Sequence, residues 1–388
     1  MNKIKKLMYL AAVLLGLASC NEKNVDISVQ NPSNFDRSEV VEILIDRNLL
    51  KPAEGKTYVV NNQQDEVIPS QLTHDGKLLF QVDIKAGETL NFTISTGAPQ
   101  PFAPKTYGRF ITERKDDFAW ENDRVAFRIY GHALIEVDGP SNGLDLWYKR
   151  TDSLIIDKWY KDDLAGIRSY HEDNGEGLDD YKVGRSLGAG MMAPYINDSL
   201  ILGENFVSQE ILDNGPLRTT FKLTYNNLQI DSGKTVGETR TFSIDAGSQM
   251  TKVTEEFLTG DSFKVAAGIV KRDATDEAYS ATTDFGTAGV IYAEPETEKA
   301  GKVFIGMVFP KGLESVITRS YTYFNPKTDA EEKYPHVLGI TTYYPGQPIT
   351  YYTGYGWNKF GFNSLGDFQM YIQNFSLALE EPLIVKFL

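Results

Sequence analysis

Apolar and polar residues alternate along most of the chain. Within Arg124–Tyr130, for example, Val125, Phe127 and Ile129 occupy every second position. This period of two is typical of a β-strand that buries one of its faces. The stretch Leu144–Tyr160 could hold one helix. Further strands are predicted at Thr219–Tyr225, Thr241–Ile244, Lys252–Phe257, Val303–Val308, Ser315–Tyr323 and Tyr371–Leu377.

The predicted strands fall into two groups. Short β-branched and aromatic runs, separated by turn residues, predict a small sandwich over residues 20–98. The proline-containing segment Gly97–Pro104 marks a boundary. Beyond it, many strands with long connections and few helices predict a large antiparallel double sheet over residues 105–388. We therefore expect a mainly β protein. Its small sandwich is predicted to contain strands at Val25–Val29, Val40–Ile45, Tyr58–Val60, Leu78–Val82 and Thr89–Ile94.

The N-terminus has the pattern of an export signal. Lysines precede the apolar run Leu7–Leu17, which is too short to span a bilayer. The run ends in Leu17-Ala18-Ser19-Cys20, which resembles a bacterial lipobox. We expect residues 1–19 to be a signal peptide and Cys20 to carry the acyl chains of a lipid anchor. The mature chain is then held at the outer membrane, facing either the periplasm or the medium.

The charge of the chain excludes one class of partner. The net charge is −14, and removal of residues 1–19 takes away three lysines and changes it to −17. Nucleic-acid binding depends on clustered Lys and Arg, so we expect no nucleic-acid partner. A polyanionic glycan stays compatible with this charge, because a local basic pocket can exist on an acidic protein.

The connection Ser169–Gly190 is long, glycine-rich and acidic, and loops of this length usually have a function. It begins with His171, a residue type suited to moving protons near neutral pH. The acids that follow admit three interpretations: a solvated loop, a divalent-cation site such as calcium, or carboxylates used directly in catalysis. We assign no cofactor beyond this candidate cation. These acids are Glu172, Asp173, Glu176, Asp179 and Asp180.

Three segments combine aromatic residues with amide or charged groups: Phe118–Asn122, Ser141–Lys149 and Tyr351–Lys359. A sugar ring has an apolar face and a rim of hydroxyls, so such groupings suit carbohydrate. The alternative is that the aromatic rings form the core of a β-sandwich. The candidate sugar-binding residues in these segments are Trp120, Glu121, Asn122, Asn142, Asp145, Trp147, Trp357 and Lys359.

Five segments resemble an uncharacterised family of Bacteroidetes-type lipoproteins, domain of unknown function 4861. They are Asp117–Asn122, Tyr130-Gly131, Ser141–Lys149, the loop from His171 to Gly190, and Tyr355–Lys359. The resemblance covers roughly residues 25–388 and implies polysaccharide degradation outside the cytoplasm. The β-rich core is also similar to the supersandwich of galactose-mutarotase-like proteins and several polysaccharide lyases. A fold-level likeness by itself says little about activity.

We therefore predict an enzyme that acts on uronate-containing oligosaccharides by β-elimination or hydrolysis. For elimination, His171 or Tyr181 is the candidate base and Tyr355 the candidate acid. A hydrolase would use Glu172 and Asp179 instead. The alternatives are a non-catalytic glycan-binding lipoprotein and a mutarotase or epimerase. The candidate partners for the uronate carboxylate are Arg114, Arg128 and Lys359.

Overall fold

The computed structural model describes residues 24–272, 279–282, 287–325 and 327–388. The predicted fold class is confirmed: the chain is mainly β, with a small sandwich and a larger double layer of antiparallel sheets. Cys20 and the predicted signal peptide lie outside the described residues. None of the helices in the described ranges is long and apolar enough to span a membrane.

The small sandwich is formed by two sheets that pack around their own apolar core, which includes Ile27, Val60 and Phe80. Inward and outward residues alternate along its strands, as the sequence pattern predicts. In spatial order, the first sheet contains β26 (Ile384–Phe387), β1 (Val25–Gln30), β7 (Thr89–Gly97), β3 (Thr57–Asn61) and β4 (Val67–Ile68). The second contains β2 (Arg37–Leu44), β6 (Lys77–Ile84) and β5 (Ser70–Leu72).

The last strand of the chain belongs to this small sandwich. β26 pairs antiparallel with β1, with Phe387 opposite Ile27 and Val385 opposite Val29. The chain therefore leaves the small sandwich after β7 and returns to it at its end.

One layer of the larger body is an eight-stranded sheet, called here the large sheet. All of its strand pairs are antiparallel. In spatial order it contains β15 (Ser208–Asn214), β16 (Arg218–Asp231), β17 (Lys234–Asp245), β18 (Met250–Leu258), β25 (Ile349–Trp357), β22 (Val303–Phe309), β21 (Ala288–Ala293) and β20 (Tyr279–Thr282).

The opposite layer consists of two five-stranded sheets. The site sheet contains β12 (Gly177–Asp179), β11 (Asp145–Lys149), β10 (Ala126–Ile129), β9 (Asp117–Asn122) and β8 (Thr106–Ile111). The other contains β14 (Ser199–Leu200), β13 (Ala189–Ile196), β19 (Phe263–Val270), β24 (Ala330–Tyr343) and β23 (Ser315–Asn325). Both contribute to the main core against the large sheet. For example, the ring of Phe118 on β9 stacks on Phe221 of β16 with centroids 3.9 Å apart.

In the described ranges, three α-helices lie outside this double layer: α1 (Ile135–Asp138), α2 (Ile156–Leu164) and α3 (Leu365–Glu380). The segment 144–160, which was predicted to hold one helix, contains the strand β11 and the first residues of α2. The predicted strand Tyr371–Leu377 is wrong, because these residues belong to α3. A capping box formed by Ser364 and Asp367 starts that helix.

Helix α3 covers part of the outer face of the large sheet. Phe368 and Ile372, four residues apart, are buried there against residues that include Phe304. A side chain at Gly306 would place its Cβ 2.8 Å from Cδ1 of Ile372, so glycine allows the helix to approach the sheet. The helical spacing of these apolar residues, rather than an alternation, explains why the predicted strand is wrong.

Candidate functional site

The strand register brings charged side chains together on the outer face of the site sheet. Arg128 on β10 lies opposite Asp145 on β11, and Trp147 on β11 lies opposite Asp179 on β12. Because side chains alternate along a strand, Arg128, Asp145 and Asp179 share one face, while residues such as Phe127 point into the main core. Arg128, Asp145 and Asp179 were all predicted as site residues, and the structure places them in contact.

These residues form a buried ion network. Nε of Arg128 donates to Oδ2 of Asp145 at 2.8 Å, and Nη2 of Arg128 donates to Oδ2 of Asp179 at 2.8 Å. The hydroxyl of Tyr130 donates to Oδ2 of Asp145 at 3.1 Å and accepts a bond from Nη2 of Arg128 at 3.2 Å. The side chains of Arg128, Asp145 and Asp179 are only 2%, 0% and 3% exposed. This burial makes the mutual pairing obligatory.

The electrostatics of the network favour a charged guanidinium and a protonated phenol. Burial alone would lower the pKa of Arg128, but the nearby carboxylates of Asp179 and Asp145 raise it well above its usual value. Burial raises the pKa of Asp145, and Arg128 opposes this shift. Burial also raises the pKa of Tyr130 well above its usual value. The guanidinium therefore keeps its charge and the phenol keeps its proton.

Three buried polar atoms of this region have no hydrogen-bond partner among the described residues. They are Nη1 of Arg128, Nε1 of Trp147 and the hydroxyl of Tyr160. The guanidinium of Arg128 lies 4.8 Å from the ring centre of Tyr130 and 5.2 Å from that of Trp147. An unpaired buried polar group costs about 1–3 kcal/mol, and two of these atoms can only donate. The region is therefore suited to an acceptor-rich group such as a carboxylate.

Arg114 adds a second cation at the solvent side. Its Nη1 donates to Oδ2 of the buried Asp117 at 3.0 Å, and its guanidinium lies 5.7 Å from the ring centre of Tyr130. Oδ1 of Asp117 accepts the backbone N–H of Gly131 at 3.2 Å. A Cβ on Gly131 would come within 1.8 Å of the carbonyl oxygen of Asp116, so no larger residue fits there. This tight turn fixes the position of Tyr130.

His171 reaches the same cluster from the long loop. Its Nδ1 lies 3.0 Å from the carbonyl oxygen of Asp179 and 3.7 Å from Oδ2 of that residue. These acceptors assign the proton to Nδ1 and leave Nε2 as an acceptor. The side chain of His171 is 54% exposed, and its ring lies 4.6 Å from the ring of the buried Tyr170. We call Arg114, Arg128, Tyr130, Asp145, His171 and Asp179 the arginine cluster.

Two of the predicted sugar platforms are in the core. Trp120 and Trp357 are 0% and 1% exposed, and their Nε1 atoms donate to Oγ1 of Thr251 and to the carbonyl oxygen of Ala300. Tyr355, the predicted acid, is also buried and donates to the carbonyl oxygen of Trp147. These side chains present no face to a ligand.

The third predicted platform, Trp147, is buried beside the arginine cluster. It lies under α2, and its ring stacks on Trp159 with centroids 5.2 Å apart. Of the predicted platforms, it alone contacts the charged site.

Glu121 and Asn122 hold the fold together. Oε1 of Glu121 accepts the backbone N–H groups of Ile155 and Ile156 at 2.7 and 2.8 Å, and so caps the start of α2. Its Oε2 pairs with Nζ of Lys149 at 2.7 Å, and both side chains are fully buried. The amide of Asn122 is used entirely in a turn between β9 and β10 and in contacts to residues 245 and 248.

The remaining predicted residues are dispersed. Oδ1 of Asn142 accepts a bond from Nη1 of Arg240 inside the sandwich. Nζ of Lys359 donates to the carbonyl oxygen of Lys299. Tyr181 is buried and its ring lies 5.5 Å from the guanidinium of Arg272. Glu172 is 71% exposed and lies 3.6 Å from Nζ of Lys299, whereas Asp179, the other predicted hydrolase carboxylate, is buried.

The acids of the long loop do not converge on a cation site. Asp173 binds Arg150, Glu176 binds Lys158, and Asp180 lies near Lys299. Among the described residues, no three His, Cys, Asp or Glu side chains are grouped so that they could hold a metal ion. The structure therefore gives no support to the candidate calcium site in this loop.

The sequence interpretation missed Tyr130 of the arginine cluster, and it missed Asp117, which binds Arg114. The alternation of side chains along the strands could have identified both residues. Tyr130 follows Arg128 by two positions, so the two side chains share a strand face. Asp117 lies two residues before Ala119 on β9, and Ala119 lies opposite Arg128 on β10. Asp117 and Arg128 therefore share a sheet face.

Comparison with known proteins gives a sequence relative and distant structural likenesses. The chain is 28% identical over 411 residues to uncharacterized protein P7 of Formosa agariphila, with 100% of both chains covered. Among solved structures, a protein in glycosyl hydrolase family 38 from Enterococcus faecalis has a TM-score of 0.47 at 10% identity, covering 95% of this chain and 48% of that chain. An alpha-mannosidase from E. faecalis V583 has a TM-score of 0.44 at 10% identity, covering 95% and 46%.

The chain thus spans about half the length of these two solved structures. At this level of likeness they carry no argument about activity. The family described as "Domain of unknown function (DUF4861)" matches residues 29–385. The chain therefore belongs to the DUF4861 family, as the sequence resemblance predicts.

Proposed function

We propose that the chain is an exported carbohydrate-active enzyme that cleaves uronate-containing oligosaccharides by β-elimination at the arginine cluster. One observation carries the proposal: a permanently charged Arg128, whose Nη1 no described residue engages, lies beside the protonated phenol of Tyr130. His171, more than half exposed, adjoins the same network. Elimination requires these three kinds of group: a cation for the carboxylate, an acid and a base.

The reaction assigns one step to each group. Nε2 of His171 removes the proton from C5 of the uronate, which breaks the C5–H bond. The electron pair forms the C4=C5 double bond while the C4–O4 bond breaks. Tyr130 donates its phenol proton to the departing oxygen. Exchange with water then returns the proton from His171 and restores the phenol.

The two arginines make the proton at C5 acidic enough to remove. As C5 loses its proton, negative charge spreads onto the uronate carboxylate. Arg114 meets this carboxylate from the solvent side, where its side chain is 25% exposed, and Arg128 stabilises it from below. The rest of the chain is strongly acidic, so a local pair of cations is what admits an anionic sugar.

Hydrolysis fits this geometry less well. A glycosidase needs two carboxyl groups that reach the glycosidic bond, about 5–5.5 Å or 6.5–9.5 Å apart. Asp145 and Asp179 are buried and bind the same guanidinium. The Oδ2 atom of each is therefore occupied in holding Arg128.

The proposal is tested with the variants Tyr130→Phe and His171→Ala on a panel of uronate-containing and neutral oligosaccharides. We expect the wild type to release unsaturated uronate, detected by its ultraviolet absorbance. Each variant should lose about 10²–10⁴-fold in turnover, since each removes one proton-transfer group. Thermal unfolding of each variant verifies that the fold is intact.

Two matched controls accompany these variants. Tyr107→Phe removes a hydroxyl from the outer edge of the same sheet, where it lies 3.4 Å from Asp157. His132→Ala removes an exposed histidine close to Tyr130 in sequence. Both should retain turnover. If the protein produces new reducing ends but no ultraviolet-absorbing product, the reaction is hydrolysis and not elimination. If it retains the glycan without forming any product, it is a binding protein and not an enzyme.

We also propose that the mature chain is a lipoprotein of the outer membrane. The support is the apolar run that ends at Cys20, the chain's one cysteine. An anchored enzyme would meet oligosaccharides outside the cytoplasm, in agreement with the resemblance to polysaccharide-utilisation lipoproteins. Whether it faces the periplasm or the medium depends on sorting after lipidation.

A further inference from the structure

A groove of about 570 Å³ separates the small sandwich, helix α3 and the outer face of the large sheet. This volume is within the range of sites that hold small-molecule and oligosaccharide ligands. The groove is on the opposite layer from the arginine cluster, because the large sheet and the site sheet expose opposite faces of the double layer. A ligand in the groove is therefore distinct from a ligand at the proposed catalytic site.

The floor of the groove is a row of cross-strand neighbours. Ser243 on β17 lies opposite Lys252 on β18, and Lys252 lies opposite Tyr352 on β25. Directly opposed residues in an antiparallel sheet point to the same face. The row therefore presents a hydroxyl, an ammonium group and a phenol ring side by side, all of them lining the groove.

The walls add amide, hydroxyl and aromatic groups. Helix α3 contributes Asn374 and Phe375, and β2 contributes Ser38. The ring of Phe375 packs edge-on against Tyr352, with centroids 5.1 Å apart, and thus supports that ring. Tyr371 of α3 accepts the backbone N–H of Gln249 at 3.0 Å, which ties the helix to the rim of the large sheet. The groove is therefore built on regular elements that hold its shape.

The two arginines that line the groove are both paired with carboxylates. Nη2 of Arg37 binds Glu39 at 2.7 Å. Arg218 binds Asp245 and Glu42, each at 2.5 Å. Within the described part of the chain, Lys252 makes no ion pair or hydrogen bond. The floor therefore carries a cation that is available to a ligand, beside the aromatic ring of Tyr352.

We propose that this groove is a second glycan-binding site, which holds an acidic oligosaccharide by pairing Lys252 with an acidic substituent and packing a sugar ring on Tyr352. The ligand class rests on the proposed function, since the same acidic glycan would be cleaved at the arginine cluster. A site on the opposite face keeps a long chain attached while its free end is processed. Such tethering raises the local concentration of substrate.

The experiment measures binding by isothermal titration with acidic uronate oligosaccharides and with neutral oligosaccharides of matched length. Tyr130→Phe serves as the host protein, so that turnover does not consume the ligand. Lys252→Gln should weaken binding of the acidic ligand about tenfold, while Lys252→Arg should retain it. Tyr352→Ala should weaken the binding of both ligands.

Lys264→Gln is the matched control, because Lys264 is an exposed strand lysine on another sheet, paired with Glu314. Its affinity should equal that of the host. Unchanged affinity for the acidic ligand in both Lys252→Gln and Tyr352→Ala would overturn the groove proposal. Turnover on the same panel separates the two proposals. If binding depends on Lys252 but the wild type makes no product, only the elimination proposal is overturned. If product forms but binding does not depend on Lys252, only the groove proposal is overturned.

Discussion

Individual buried charges in this molecule are tied to partners that the fold provides. Arg128 binds two carboxylates and keeps one unused nitrogen among the described residues. His336 shows the opposite case: burial lowers its pKa to about 4, and its ring joins the N–H of Leu187 to the carbonyl of Tyr334. A buried charged group that keeps an unpaired hydrogen-bond donor is unusual unless a ligand accepts a bond from that donor. This contrast is why the arginine cluster, rather than His336, is the proposed site.

Glu294 makes stability depend on pH. Burial raises its pKa from 4.5 to about 7, opposed by Arg272 and Lys302. The folded state therefore binds a proton that the unfolded state has lost between these pH values. The stability contribution of this group is present below about pH 4.5 and is lost as the pH rises through 7. Glu294→Gln should remove this loss. Between pH 5 and pH 8, the free energy of unfolding of the variant should rise relative to that of the wild type by up to about 3 kcal/mol.

Urea unfolding of the wild type and the variant at both pH values measures this difference. The exposed Glu296, two residues further along, offers the control Glu296→Gln, which should show no such pH-dependent gain. Other buried acids titrate equally in all three proteins and cancel in the comparison. An identical pH slope for the wild type and Glu294→Gln would contradict the expectation.

At the scale of elements, the two faces of the site sheet contact different parts of the molecule. Its inner face joins the main core, and its outer face carries the arginine cluster and the cover of α2. Glu121 on β9 links the two by capping the start of α2 while it pairs with Lys149 on β11. The position of α2 over Trp147 therefore depends on a buried carboxylate in the neighbouring strand.

Glu121→Ala should destabilise the protein by at least about 3 kcal/mol, because it leaves the buried Lys149 charge unpaired and two helix N–H groups uncapped. The control is Glu113→Ala, which removes an exposed ion pair with Arg109 on the same sheet and should cost less than about 1 kcal/mol. Denaturant titration of both variants gives the two values. Equal losses would mean that Glu121 is no more than a surface-type contact.

At the scale of the whole molecule, the small sandwich and the double layer share a boundary instead of standing apart. The chain's last strand completes the first sheet, and Arg37 of β2 donates to the carbonyl oxygen of Glu381 at 2.7 Å, just after α3. The proposed glycan groove exists only where these parts meet. Its lining residues come from segments separated by more than three hundred positions, so no local motif identifies it.

The proposed anchor also concerns the molecule as a whole. Lipidation of Cys20 should place the full-length protein in the membrane fraction, with an intact mass increased by the acyl groups. Cys20→Ala should move it to the soluble fraction of the envelope, since the remaining acidic chain has little affinity for an anionic surface. A wild type recovered without acyl groups would exclude the anchor.

Much of the fold was predictable, whereas the membership of the site was only partly so. The runs Val25–Val29 and Thr89–Ile94 were predicted as strands, and they are β1 and most of β7. Arg128 and Asp145 were named as binding residues on separate sequence motifs, and the structure joins them directly. Trp120 was named on the same kind of evidence, yet it lies in the core. An aromatic–amide segment has the same sequence pattern whether its ring faces a ligand or another sheet.

Local patterning was sufficient for the β class, for most of the strand positions and for the family, because side-chain alternation and motif spacing are properties of neighbouring residues. Alternation shows which residues share a strand face, but it does not show which face another layer covers. Only the packing of the sheets decided that Tyr355 is buried and that His171 meets Asp179. The same packing left Lys252 beside Tyr352 in an open groove. These outcomes depend on contacts between distant segments, where burial and charge pairing are set by the whole structure.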